Sequence, residues 1–442
     1  MSGPRTERLL AAPILPTLAR LSAPGLLLVL FQSMVSIGDT YFVSRRGTEP
    51  LAGLALVFPL LMLLQMTSAG AMGGGVSSAI ARSLGAGETA MARRLVLHAL
   101  VIAGAMAAAF TVLLLAFGRP VYALLGGRGE ALEAALSYSH IVFAGAITVW
   151  LANTLASVLR GTGNMVAPAA ALVAAAVIHV VLSGFLVASI GIAGAAIAYV
   201  TTFGLASAAM ALVVFRRSSP LRPRAEDLRL EPRLFREILR VGAISSLSAV
   251  QTVLTAVILT GIVGRFGAPA LAGYGVGVRL ELLQIPLVFA VGQALVALVG
   301  THVGAGRIAR AKTIAWTGAA AACSISLAIG AAVWLFPLAW VGLFSADPAV
   351  LDAGTRYLRI VAPCFPFLGL GIALYFASQG AGQVLMPVLA GTARLVLIVG
   401  GALLLSATGT LSLDAIFALI AVAMLAFGGL SAWAVARARW SR

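Results

Sequence analysis

The sequence predicts an all-α polytopic membrane protein, with twelve transmembrane helices in two parallel six-helix repeats. Three observations carry that expectation. Of the 442 residues, 61% are apolar and 10% charged, against roughly 45–50% and about 25% in soluble chains. Twelve apolar stretches each approach the roughly 20 residues that a helix needs to cross a hydrocarbon core. The second half also repeats the first at a spacing near 219 residues.

In chain order the spans are 20–43, 51–80, 95–117, 134–158, 168–190, 193–215, 241–264, 270–300, 314–336, 354–378, 387–407 and 413–436. Backbone groups in lipid must be satisfied within the segment, so these are helices. Glycine, proline or charge punctuates nearly every boundary. The first span carries Pro24, which removes a backbone hydrogen bond and makes a hinge. The second contains Gly73-Gly74-Gly75, suited to close helix contact or to a break. Its Met62, Met66 and Met72 either pack or line an adaptable surface. The most polar stretch, 216–240, holds eight arginines and four acids and reads as a cytoplasmic linker. It separates an N-lobe, 20–215, from a C-lobe, 241–436; residues 1–19 and 437–442 are cytoplasmic ends.

The net charge of +16 takes its meaning from position. Seven basic residues (Arg45, Arg46, Arg119, Arg128, Arg265, Arg356, Arg359) fall near one face, and Arg279 and Arg394 lie inside spans. The other 21 of the 30 fall at the termini and in alternate loops, which is the positive-inside bias. Both termini are therefore expected in the cytoplasm, in a bacterial plasma membrane. No nucleic-acid or protein partner is implied. Cys323 and Cys364 lie in different spans without metal-like spacing. The N-terminus, with Arg5 and Arg8, lacks a cleavage site, so no removable signal peptide is expected.

The repeat is visible residue by residue. Gly85-Ala86-Gly87 recurs as Gly304-Ala305-Gly306, Tyr138 as Tyr357, and Gly161-Thr-Gly163 with Pro168 as Gly380-Ala-Gly382 with Pro387. Six spans per repeat is even, so both halves enter the membrane in the same direction. A site is expected between them near mid-depth.

Several segments together resemble the MATE family (multidrug and toxic compound extrusion). They are Gly38-Asp39-Thr40-Tyr41-Phe42-Val43, Gly47-Thr-Glu-Pro-Leu-Ala, the Leu-Gly-Ala-Gly of 84–87, and Leu159-Arg-Gly-Thr-Gly163 with Pro168. The likeness covers essentially the whole chain and is closer to the prokaryotic, DinF-like branch than to the eukaryotic one. It implies a V-shaped, two-lobed antiporter that expels organic cations or amphiphilic drugs, driven by protons or sodium, without an organic cofactor. One departure bears on coupling. Where the family's fifth span often carries Asn and, four residues on, Asp, this chain has His179 and Ser183. A sodium site built from two carboxylates is put in question, and protons are favoured.

An ionisable group inside a span needs a reason, because it costs a few kcal/mol or more. Asp39 lies about 9 Å inside the end of the first span at 1.5 Å per residue. Gln32, Ser36 and Asp39 share one helix face. Asp39 reads as the coupling acid, the alternative being a helix-end carboxylate facing water. His179 and Ser183, at i and i+4, share a face at similar depth. Two roles are open to His179: holding Asp39 ionised and relaying its proton, or satisfying a neighbouring carbonyl. In the C-lobe, Gln251 and Thr255 repeat the stripe, but the Asp39 position becomes apolar, near Ile258. Glu281 is the one deep acid there, paired with Arg394 or facing substrate.

A secondary multidrug antiporter working by alternating access is thus expected, with the stripe residues along the substrate pathway. Sodium coupling and a flippase for an amphiphilic or lipid-linked molecule are the alternatives. A flippase of polyanionic lipids would need more than two deep arginines. No His-Glu-x-x-His motif or nucleotide-binding loop is present, so neither an enzyme nor direct use of ATP is expected.

Overall fold

The computed structural model describes residues 4–441. The first three residues of the predicted N-terminal segment and the last of the predicted tail lie outside that range. The described chain is nearly all helix: α1 (Pro4–Ala11), α2 (Ile14–Ser44), α3 (Thr48–Gln65), a π-helical turn (Met66–Met72), α4 (Gly73–Gly85), α5 (Thr89–Leu124), α6 (Gly129–Ala144), α7 (Ala146–Gly161), α8 (Val166–Ile190) and α9 (Ile192–Phe215). The second half follows with α10 (Pro232–Gly264), α11 (Ala268–Gly304), α12 (Ile308–Leu335), α13 (Pro337–Val341), α14 (Pro348–Val361), α15 (Phe365–Gly380), α16 (Leu385–Ala407) and α17 (Leu413–Arg437).

Eleven of the described helical segments are long and apolar enough to cross a membrane, or twelve when α6 and α7 count as one span bent by 51°. The bend falls at Gly145, where any Cβ would run into Val200 of α9. The span read as 134–158 is thus bent at a glycine where a neighbouring helix comes close. Two other boundaries differ from the hydropathy reading. α2 begins at Ile14, and α10 begins at Pro232, inside the stretch read as linker. The reason in α10 is amphipathicity: Leu234 and Ile238, one turn apart, bury themselves in the N-lobe core although Arg233 and Arg236 flank them. Leu9 and Leu18 likewise sit in a core built mainly from α11, α12 and α15. The start of each half packs on the other half.

What remains of the linker is docked. Asp227 is buried against α5, 2.9 Å from Arg93 and 3.7 Å from Arg94, and Glu231 meets Arg94 at 2.8 Å. Burial works against ionisation of Asp227. The hydrogen bonds from Arg93 and the Arg224 amide, with the charges of Arg93 and Arg94, outweigh it and hold the carboxyl below its usual range.

The lobes join where glycines permit. A Cβ on Gly85 would strike the carbonyl of Thr301, and one on Gly304 would strike the carbonyl of Arg82. These two contacts are related by the 219-residue repeat, so the pseudo-symmetry axis passes between α4 and α11. The Gly73-Gly74-Gly75 run packs rather than breaks: its residues abut Ser157 of α7, Gln379 of α15 and the α10 backbone at Ile238 and Gly242. Polar contacts add to the seam. Ser78 Oγ donates to the carbonyls of Gln379 (2.5 Å) and Gly380 (3.0 Å). Arg82 meets Glu237 at 3.3 Å. In the other half of the membrane α3 packs chiefly on α6, and the first part of α11 on α14, each within its own lobe. The helix α2 runs unbroken through Pro24, and Gly25 touches Ala290 of α11.

Gly85→Val is expected to overpack this seam, at about 1–3 kcal/mol, and to pry the lobes apart there. In a background with Cys323 and Cys364 replaced by Ala, a cysteine at the buried Ala81 should be inert to a membrane-impermeant maleimide. It should become reactive once Gly85→Val is added; equal protection in both would contradict the seam.

Candidate functional site

The site lies on α2, α8 and α9 of the N-lobe. Small residues bring the first two helices together: Gly38 faces Val180, and Gly184 leaves room for the Phe42 ring. Arg46, at the end of α2, clamps the end of α8 by donating to the carbonyls of Val187 (2.9 Å) and Ala188. A tight turn at Gly191, with φ of 69°, then folds α9 back onto α8. Only glycine takes that conformation without strain.

This packing places Asp39, His179 and Ser183 in one buried cluster. His179 Nε2 lies 3.0 Å from both carboxylate oxygens of Asp39, and Ser183 Oγ donates to Oδ1 at 2.5 Å. Of the two readings of His179, the structure has the one in which it meets Asp39. The reading of Asp39 as a carboxylate facing water does not hold, since it is 8% exposed. Thr202 of α9 completes the cluster, with Oγ1 3.4 Å from His179 Nδ1. That hydroxyl donates its single proton to the carbonyl of Ala198 at 2.8 Å. With its proton so placed, the hydroxyl is set to accept from an Nδ1–H of the imidazole. Among the described residues no group of three or more His, Cys, Asp or Glu side chains is placed to hold a metal ion.

A polar chain leads inward from the cluster. The Tyr199 ring stands edge-on to His179, with centroids 6.2 Å apart. Its hydroxyl accepts from Gln65 Nε2 at 2.6 Å, and Gln65 Oε1 accepts from Asn153 Nδ2 at 3.0 Å. Asn153 also donates to Ser68 Oγ at 2.8 Å. Ser68 belongs to the π-helical turn, whose Gly70 carbonyl accepts from Gln379 of the C-lobe at 3.0 Å. None of Thr202, Tyr199, Gln65, Asn153 or Gln379 stood out in the sequence. The signal available was that amides inside apolar spans must find partners.

The other predicted residues fall apart from the cluster. Gln32 and Ser36 share the helix of Asp39 but are exposed. Gln251 is buried and donates to Thr392 of α16 at 2.7 Å, while Thr255 donates to the Gln251 carbonyl. Glu281 lies 4.0 Å from Arg394 and accepts a hydrogen bond from Tyr357, a partner the sequence did not indicate. Arg279 points elsewhere, over the Phe344 ring.

Comparison with known proteins agrees with this architecture. The MatE family model matches the chain twice, over residues 24–185 and 245–404, once in each half. The chain is 28% identical over 382 residues to an FAD transporter of Shewanella oneidensis, covering 84% of this chain and 82% of that one. It is 22% identical over 391 residues to the probable multidrug resistance protein NorM of Thermotoga maritima, covering 84% and 81%. In fold it is similar to a MOP superfamily transporter from Pyrococcus furiosus, with a TM-score of 0.91, 24% identity, and coverage of 99% of this chain and 100% of that one. With both halves matched by the family model, the chain belongs to the MatE family, whose members are transporters and not enzymes.

Proposed function

We propose that the protein exports organic cations or amphiphilic drugs in exchange for protons, by alternating access of its two lobes. The observation that carries this reading is the buried Asp39–His179 pair, with Nε2 3.0 Å from both carboxylate oxygens, an arrangement that can share one proton between α2 and α8. Losing that proton has two outcomes. An Nε2 lone pair is left against a carboxylate, which pushes α2 from α8. Otherwise the Nδ1 proton moves to Nε2 and the Thr202 contact is lost. Either way, proton release is tied to movement of α2, which also packs on α11 of the opposite lobe. Proton binding restores the pair. One carboxylate with an imidazole and a hydroxyl suits a proton better than sodium, which favours several oxygen ligands.

The basic segments set the orientation: the N-terminal helix, the 216–231 linker and the C-terminal tail lie on the cytoplasmic side of a bacterial inner membrane. A second reading, export of an anionic amphiphile, draws on the Shewanella relative and on Arg394, whose Nε is buried without a hydrogen-bond partner among the described residues.

Efflux from proteoliposomes tests both, with proton and sodium gradients imposed separately and either ethidium or FAD as cargo. Proton-driven ethidium efflux, abolished in Asp39→Asn, is the expected result. Efflux driven by sodium alone would reject proton coupling, and transport of FAD but not ethidium would favour the second reading. Thr202→Val removes the acceptor for Nδ1–H, a hydrogen bond worth about 1 kcal/mol. It is expected to lower efflux per imposed pH gradient by about fivefold while ethidium binding stays intact. Unchanged proton-driven efflux would remove Thr202 from the coupling scheme.

A further inference from the structure

A recess lies apart from the Asp39–His179 cluster, at the end of the bundle where the linker and the C-terminal tail emerge. It is a cavity of about 400 Å³ between the start of α10, the α15–α16 turn and the end of α17. Arg240 and Arg437 border it, with Gln383, Leu385, Met386 and Trp433, and no acid is among its lining residues. Neither arginine ion-pairs with a carboxylate among the described residues; Arg437 stacks instead on the Trp433 ring, 5.0 Å from its centroid. The α16 helix starts at this recess without a side-chain cap, and Val384, Leu385 and Met386 of its first turn line it. Leu385, Met386 and Trp433 are each about half exposed and continue into the outer surface of α16 and α17.

The equivalent turn in the N-lobe, at Gly163-Asn164, is filled: Leu9 lies against Gly163, and Asn164 Oδ1 caps the amide of Ala167 at 3.2 Å. In the C-lobe the equivalent Gln383 turns away and donates to the Arg439 carbonyl at 3.2 Å. In the C-lobe the Arg82 guanidinium lies against Gly382 as Leu9 lies against Gly163, so both turns are covered, and the recess lies beside the C-lobe turn, toward α10 and α17.

We infer that this recess binds the headgroup of an anionic phospholipid from the adjoining leaflet. The phosphodiester would sit between Arg240 and Arg437 at the α16 N-terminus, with an acyl chain along Leu385, Met386 and Trp433. A free phosphate would use the arginines but not the apolar wall that joins the recess to the lipid-facing surface.

The test is native mass spectrometry of the full-length protein in detergent with equal amounts of phosphatidylglycerol and phosphatidylcholine. Phosphatidylglycerol should be retained preferentially. Arg240→Gln and Arg437→Gln should each lower its retention by about fivefold, the usual contribution of one arginine near an anionic lipid. Met386→Glu, which keeps both arginines but adds a negative charge to the recess, should lower it as well. Arg217→Gln, on the same basic end but outside the recess, should leave it unchanged. The assignment is overturned if wild type retains both lipids equally, if the double arginine variant keeps its preference, or if Arg217→Gln loses as much. Displacement of phosphatidylglycerol by inorganic phosphate at matched concentration would overturn it too.

Discussion

A carboxylate inside a membrane span is the constraint on which the N-lobe depends. Asp39 is buried on α2, and a charge at that depth is costly unless it is paired or carries a proton. His179 and Ser183 meet that need only if α8 lies close to α2 in one register. Gly38 and Gly184 make the approach possible, and Arg46 holds the helix ends. Thr202 then meets the imidazole from α9, so three helices converge on one buried carboxylate.

That local chemistry reaches the rest of the molecule through packing. Two features of the fold make it consequential. α2 touches α11 of the opposite lobe at Gly25, and the polar chain from Tyr199 ends at the π-helical turn that meets Gln379. Meanwhile the seam at Gly85 and Gly304 holds the lobes together at one end through backbone contacts that admit no side chain. Helices in such contact change by discrete shifts rather than by gradual deformation. A switch on α2 therefore has a rigid joint to act against.

Much of this was legible in the sequence. Span count and parallel repeat followed from hydropathy and the 219-residue offset, whereas the Gly85 and Gly304 motifs stood out only as repeat markers, not as the joint. Asp39 stood out as an acid inside an apolar span, and His179 and Ser183 as the residues at the positions where the resembled family often has Asn and Asp, at a similar depth. Depth, however, carries no azimuth, so whether His179 faced Asp39 needed the packing of α2 on α8. Thr202 and Tyr199 were missed because a threonine and a tyrosine in a span are unremarkable until a histidine lies beside them. The linker boundary at 240 was misplaced for a different reason. Charge density masked the amphipathic start of α10, whose Leu234 and Ile238 reach into the other lobe.

The account stands most directly on the proton state of His179. The chain has four histidines, so nitrogen-15 labelling of histidine and solid-state NMR in lipid can resolve this ring, with His179→Asn to assign it. The expected spectrum has Nδ1 protonated and Nε2 in a strong hydrogen bond. Removing the carboxylate, in Asp39→Asn, should abolish that hydrogen bond and shift the ring to a second environment. A neutral imidazole protonated only at Nε2, unchanged in Asp39→Asn, would contradict the shared-proton pair and the switch built on it.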